Sequence, residues 1–213
     1  MAIAALVTIV SLGLMFVASA AKQEFLSGVL KMVASTGFLA LAVLAGALNS
    51  WYGIAVLIAL FFSWWGDLLL IFRHQTLFLL GLIAFFLGHL GFVAAFLVHG
   101  VHPVCLLGTL VVLSIPAAIV LRWLNPGLGD MRMPVYAYIT VISIMVACSA
   151  GAVGLGGIWF MTLGAVMFYC SDIFVARDRF IKADGWNRWL GLPLYYGAQL
   201  LMAYTIWFAG AGI

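Results

Sequence analysis

The chain is written in long apolar runs broken by brief polar punctuation. Read as helices, the runs fall at 2–21, 32–49, 51–72, 76–98, 103–121, 133–150, 158–176 and 189–210. Each is close to the ~20 residues that a helix needs to cross a ~30 Å hydrocarbon core. Backbone groups inside lipid must be satisfied within the chain, so only helices or a closed barrel can span it. Barrel strands alternate apolar and polar positions, and these runs do not. The pattern therefore predicts an all-α, polytopic membrane helix bundle of eight transmembrane helices, one integral membrane domain over residues 1–213. The second and third spans are divided only by a tight turn at Asn49-Ser50.

Composition supports this reading. Of the 213 residues 67% are hydrophobic and 7% are charged, too few charges to cover a soluble surface. The longest linkers, 22–31, 122–132 and 177–188, leave no room for a second domain. The glycine-rich stretch from Gly151 to Gly157 lacks the Lys-Ser/Thr of a phosphate loop and reads as a flexible connection. Ala18-Ser19-Ala20 resembles a leader cleavage site, but nothing basic precedes Lys22, so the first segment is expected to be a retained helix.

Charge adds orientation. Lys22 and Lys31 fall between spans one and two, and Arg73 between three and four. Arg122 and Arg132 fall between five and six. Arg177, Arg179, Lys182 and Arg188 fall between seven and eight. All nine basic residues thus sit in odd-numbered loops. The positive-inside rule then places both termini on the non-cytoplasmic side. Scattered cations do not make a nucleic-acid surface. Cys105, Cys148 and Cys170 lie in apolar stretches without CxxC spacing and read as packing residues.

Only two acids lie inside predicted spans, Asp67 and Asp172. A charge at the bilayer centre costs ~3 kcal/mol on insertion scales, so intramembrane acids usually mark a site. Both lie ~8 Å inside the basic boundary of their spans, at equal depth, as a facing pair would. The bland alternative is a pair of structural acids neutralised by Arg73 and Arg177. Ser63 shares a helix face with Asp67 and could bond that carboxylate, a headgroup, or merely its own helix backbone. Ser171 adjoins Asp172. Tyr169, Tyr195, Tyr196 and Gln199 add polar groups to spans seven and eight, with Tyr196 at the depth of the acids. His89, between Gly88 and Gly91, reads first as a hydrogen-bonded packing residue. Counted from the span boundary it lies ~10 Å deeper than the acids, which argues against shared metal ligation or a Ser-His-Asp triad. His74, His99 and His102 have no metal-site spacing.

A weak repeat joins the ends of spans three and seven, where an acid stands five or six residues before a basic residue. It fits a parallel four-plus-four duplication.

These residues in this order, Ser63-x-x-Gly66-Asp67, Gly88-His89, Ser171-Asp172 and Gln199, resemble the YhhN-like lysoplasmalogenase family, along nearly the whole chain. One departure is Phe92, where a tyrosine is expected shortly after the span-four histidine. The resemblance implies hydrolysis of the vinyl ether bond of lysoplasmalogens to a fatty aldehyde and a glycerophospho-ethanolamine or -choline. One aspartic acid would protonate the vinyl β-carbon. The other, ionised, would stabilise the oxocarbenium ion and orient water, as paired carboxyls do in glycoside hydrolysis. No metal or other cofactor is expected. The single tail would enter laterally among membrane lipids, and the basic loop 177–188 would meet the phosphate. No protein partner is inferred. Compact loops suit a bacterial inner membrane. The competing readings are a proton-coupled transporter, which would also carry intramembrane acids, and a structural protein indifferent to Asp→Asn changes.

Overall fold

The protein was analysed as a computed structural model that describes residues 1–72 and 74–210. Arg73, one of the nine cations counted above, lies outside the described residues.

Eight long helices follow in order: α1 Ala2–Ala20, α2 Glu24–Leu44, α3 Trp51–Leu69, α4 Gln75–His99, α5 Pro103–Leu124, α6 Arg132–Gly154, α7 Phe160–Phe180 and α8 Leu192–Gly210. Seven are long and apolar enough to cross a membrane. The eighth, α8, has the same 19-residue length as α1 and turns Tyr195, Tyr196, Gln199 and Thr205 into the protein. The tight division between α2 and α3 is a short 3-10 turn, Ala47–Asn49, after which Ser50 caps α3 by accepting from the Gly53 N–H at 3.0 Å.

Several boundaries differ from the sequence expectation, and three of them have a local cause that bears on the site or its packing. The second helix begins at Glu24 rather than 32, because a single lysine or serine does not stop a helix whose other face is apolar. Lys31 therefore belongs to α2 and not to a loop. At its far end α6 continues through Gly151 to Gly154. A Cβ at Gly154 would stand 2.7 Å from Cys105 Sγ, so this glycine permits close packing of α5 on α6 rather than flexibility. The left-handed turn comes only at Gly156, with φ of 93°. In α7 the helix runs on to Phe180, carrying Arg177 and Arg179 in its last turn, where cations suit the helix dipole.

Neighbouring helices pair as antiparallel hairpins, α1 with α2, α3 with α4, α5 with α6 and α7 with α8. The middle of the bundle is closed by α4 on α6 and by α8 on α2 and α3. Phe38, Leu60, Phe92, Phe96, Met145, Phe168 and Met202 are fully buried there. By contrast α5 is peripheral: only Leu124 of that helix is buried. Close approach of α3 and α4 depends on Gly91, where a Cβ would lie 2.9 Å from the Ala59 Cβ.

Candidate active site

The loops joining α1 to α2, α3 to α4, and α7 to α8 contribute to one cavity of about 1070 Å³. Lys22, His74, Arg179 and Arg188 stand among its lining residues towards these loops. Deeper, the same cavity is lined by Lys31, Asp67, Tyr138, Tyr169, Ser171, Asp172 and Tyr195. Both intramembrane acids therefore face a common space, yet their surroundings differ in kind.

Asp67 stands in the last turn of α3 and is 2% exposed. Its Oδ1 lies 3.1 Å from Lys31 Nζ. Its Oδ2 accepts from the hydroxyls of Ser35 and Tyr195, each at 2.6 Å. Lys31 also donates to the Asp67 backbone carbonyl at 3.1 Å, serving one of the carbonyls that a helix C-terminus leaves open. Tyr196 donates to the Lys31 carbonyl at 3.1 Å and lies 3.2 Å from Ser35 Oγ. Three helices, α2, α3 and α8, are thus tied through a single carboxylate, and both its oxygens are engaged.

Asp172 is more open, with a side chain 16% exposed. Its Oδ2 accepts from the Tyr138 hydroxyl at 2.8 Å and lies 3.1 Å from His89 Nε2. Tyr138 O and His89 Nε2 are themselves 2.9 Å apart, closing a triangle. Because Tyr138 gives its proton to the carboxylate, Nε2 must carry its own hydrogen to face two oxygens. His89 Nδ1 is buried and has no hydrogen-bond partner among the described residues, and the Phe168 ring lies 4.7 Å from the imidazole between centroids. Among the described residues, all the hydrogen bonds of Asp172 fall on Oδ2 and none on Oδ1.

The structure corrects the depth argument. His89 and Asp172 are in contact, although counting from helix boundaries set them ~10 Å apart. That count assumed that all helices start in one plane. In fact α7 extends past the expected boundary at 176 to Phe180, so Asp172 lies deeper than its count implied. Of the two arginines in the alternative reading of structural acids, Arg73 lies outside the described residues and Arg177 does not pair with Asp172. Asp67 pairs with Lys31, whereas Arg177 is held by both carboxylate oxygens of Asp184. These bonds keep the Asp184 carboxyl below the usual carboxylate range, so Arg177 is already neutralised. Arg179 lies 4.4 Å above the Phe78 ring. The basic segment 177–188 is therefore partly committed within the protein, and only Arg179 and Arg188 of its four cations line the cavity.

The remaining residues singled out in the sequence divide. Tyr169 and Ser171 line the cavity beside Asp172. Tyr195 and Tyr196 join the Asp67 network. Ser63 is fully buried, bonds its own helix through the Ala59 carbonyl at 3.0 Å, and is not among the lining residues. Gln199 is fully buried and also stands outside the cavity lining. Phe92 packs on Phe168, and the hydroxyl beside His89 belongs to Tyr138 of α6. Lys31, Ser35 and Tyr138 were missed as site residues. For Lys31 and Ser35 the signal was present: they are polar at i and i+4 within an otherwise apolar stretch, on one helix face. Among the described residues no cluster of three or more metal-ligating side chains is found.

A family model, the YhhN family, matches residues 26–206. A lysoplasmalogenase of Bos taurus, TMEM86A, is 31% identical over 146 residues, 65% of this chain and 59% of the relative. A lysoplasmalogenase of Mycobacterium bovis is 34% identical over 139 residues, 62% of this chain and 51% of the relative. The same figures hold for a lysoplasmalogenase of Mycobacterium tuberculosis. The chain spans little more than half the length of these curated relatives. No solved structure matches it significantly.

Proposed function

Since the chain belongs to the YhhN family, we propose that it is a multi-pass membrane hydrolase that cleaves the vinyl ether bond of lysoplasmalogens, with Asp172 as the acid. The observation that carries this reading is the pair of carboxyls on one cavity in unlike settings. Asp67 is locked in an ion pair and two further hydrogen bonds, whereas Asp172 lines the cavity and is bonded through Oδ2 alone among the described residues. The names of its relatives point to the same substrate.

The chemistry needs a proton delivered to carbon. Asp172 Oδ1 gives its proton to the vinyl β-carbon, and the double-bond electrons form that C–H bond. The α-carbon becomes an oxocarbenium ion beside the new carboxylate. Water adds to this carbon and loses a proton to Asp172, giving a hemiacetal. The hemiacetal C–O bond to glycerol then breaks as Asp172 returns a proton to the departing oxygen. As the aldehyde C=O forms, the hemiacetal hydroxyl gives its proton to Asp172, which restores the acid; one water is consumed, and a fatty aldehyde and a glycerophospho alcohol leave. Tyr138 and His89 hold Oδ2, so that Oδ1 is the oxygen presented to the substrate. Oxocarbenium chemistry between carboxyls has its counterpart in glycosidases.

The positive-inside rule, applied to the cations of the odd-numbered loops, supports a cytoplasmic cavity mouth in this reading, and a bacterial inner membrane suits the compact loops. Purified protein is expected to release fatty aldehyde from a lysoplasmalogen in detergent, where no gradient exists for a carrier to use. Asp172→Asn is expected to lose on the order of 10²–10⁴-fold in kcat, the usual contribution of a positioned acid. Full activity in that variant would remove Asp172 from the chemistry, and silence of the wild type would remove the hydrolase reading.

A further inference from the structure

We propose that Lys31 is the phosphodiester anchor of the cavity, an anion site held in place by Asp67. The inference rests on the hydrolase reading for its ligand class, and its geometry is independent of that reading.

An ammonium has three N–H donors. Two are accounted for at Lys31, by Asp67 Oδ1 and by the Asp67 carbonyl, both at 3.1 Å. The third remains, on a residue that lines the cavity. Lysines near a membrane interface normally extend their stems so that the charge reaches water. Lys31 instead keeps its side chain 14% exposed and turns to a carboxylate that is 2% exposed. A buried pair of this kind is a poor device for stability, because desolvation offsets the attraction. Its arrangement fits a ligand site better. Asp67 is itself fixed by Ser35 and Tyr195, so the ammonium is held at a set place by a rigid neighbour.

Glu24, Ser27, Gly28 and Lys31 recur at helical spacing and all line the cavity. Ser27 and Gly28 put only small groups between Lys31 and Glu24, and Ile71 Cγ2 would stand 3.2 Å from a Cβ at Gly28. The other cations are less suited to the depth of the site. Arg177 is held by Asp184, Arg179 lies on Phe78, and Lys22 and Arg188 are exposed. A phosphodiester at Lys31 would replace the lost water of the third N–H by a charge-assisted bond. It would leave the sn-1 ether and its tail to extend past Tyr138 and Asp172. Glycerol phosphodiesters and inorganic phosphate share this chemistry, and the experiment separates them.

Thermal unfolding of the wild type in detergent should shift upward with glycerophosphoethanolamine and not with glycerol. Lys31→Gln should abolish that shift. Equal stabilisation by inorganic phosphate would assign the site to free phosphate and overturn the lipid reading. No shift in the wild type with the diester would overturn the anchor itself. Turnover adds a second readout. The kcat/KM for a lysoplasmalogen should fall at least about tenfold more than that for the neutral 1-alkenylglycerol in Lys31→Gln, the scale of one charged hydrogen bond. Ser27→Glu, which adds an anion on the same face without touching the Asp67 network, should produce the same differential loss, carried by KM. Equal losses on both substrates in both variants would make Lys31 a structural partner of Asp67 and end the proposal. If neither substrate yields aldehyde with wild-type protein while the diester still stabilises it, the hydrolysis fails and the anion site stands.

Discussion

Tyr138 shows how much one hydroxyl can decide at the site. It donates to Asp172 Oδ2 at 2.8 Å and touches His89 Nε2 at 2.9 Å, so it fixes both the carboxyl and the imidazole. Tyr138→Phe keeps the ring and its packing and removes only that bond. A hydrogen bond to a charged group contributes about 1.5–3 kcal/mol. The variant is expected to lose roughly ten- to a hundredfold in kcat with KM little changed, measured by steady-state aldehyde release. An equal rise in KM would show a substrate contact instead. The two aspartates should also separate by stability. Removing one partner of a buried ion pair costs about 3–5 kcal/mol, so Asp67→Asn should unfold well below the wild-type Tm. Asp172→Asn, which is bonded only to Tyr138 and His89 among the described residues, should unfold near it. Differential scanning fluorimetry in detergent distinguishes the two. Ser63→Ala should leave kcat/KM unchanged, since its hydroxyl is spent on the Ala59 carbonyl.

At the level of the helix, the apolar runs were enough to find all eight elements, because twenty consecutive apolar residues leave little else to form in lipid. What the runs could not give was rotation about each helix axis and relative height. Lys31 was placed in a loop because a charge ends an apolar run, although the helix continues through it. His89 was judged too deep for Asp172 because heights were counted along the chain, and helices of 25 and 21 residues need not start in one plane. The two acids themselves were legible, as the rare charges within spans. Their partners were not, since Ser35, Tyr138 and Tyr195 reach them from other helices. Glycines set how closely these helices meet. At Gly91 an added Cβ would press on the Cα and Cβ of Ala59. Gly91→Ala is expected to cost about 1–3 kcal/mol, the range for overpacking, visible as a lowered Tm. Gly108→Ala, with no heavy atom within 4 Å of its built Cβ, should leave the Tm where it was. A matching loss at both positions would mean that the α3–α4 contact is looser than its geometry.

Across the whole molecule, the cavity and the loops with basic residues lie at the same end, and the opposite end carries the glycine turn at 154–157 with Leu155 and Trp159 exposed. An anionic substrate and the positive-inside rule therefore make the same demand on where the cations go. In the proposed orientation the cations that would direct insertion are also those around the mouth that a phosphate would pass. Orientation and function can be separated by labelling. In a protein whose Cys105, Cys148 and Cys170 are replaced by alanine, a single cysteine at Lys22 reports the cavity end, and one at Leu155 reports the other. With intact cells, a membrane-impermeant maleimide should modify the Leu155 position and spare the Lys22 position. Inside-out vesicles should reverse the pattern. The reverse result in cells would put the mouth on the external face, and the substrate would then have to come from the outer leaflet. The Asp67 and Asp172 networks do not depend on that outcome, because they are fixed by contacts among α2, α3, α4, α6, α7 and α8. Only the leaflet that supplies the lipid would change.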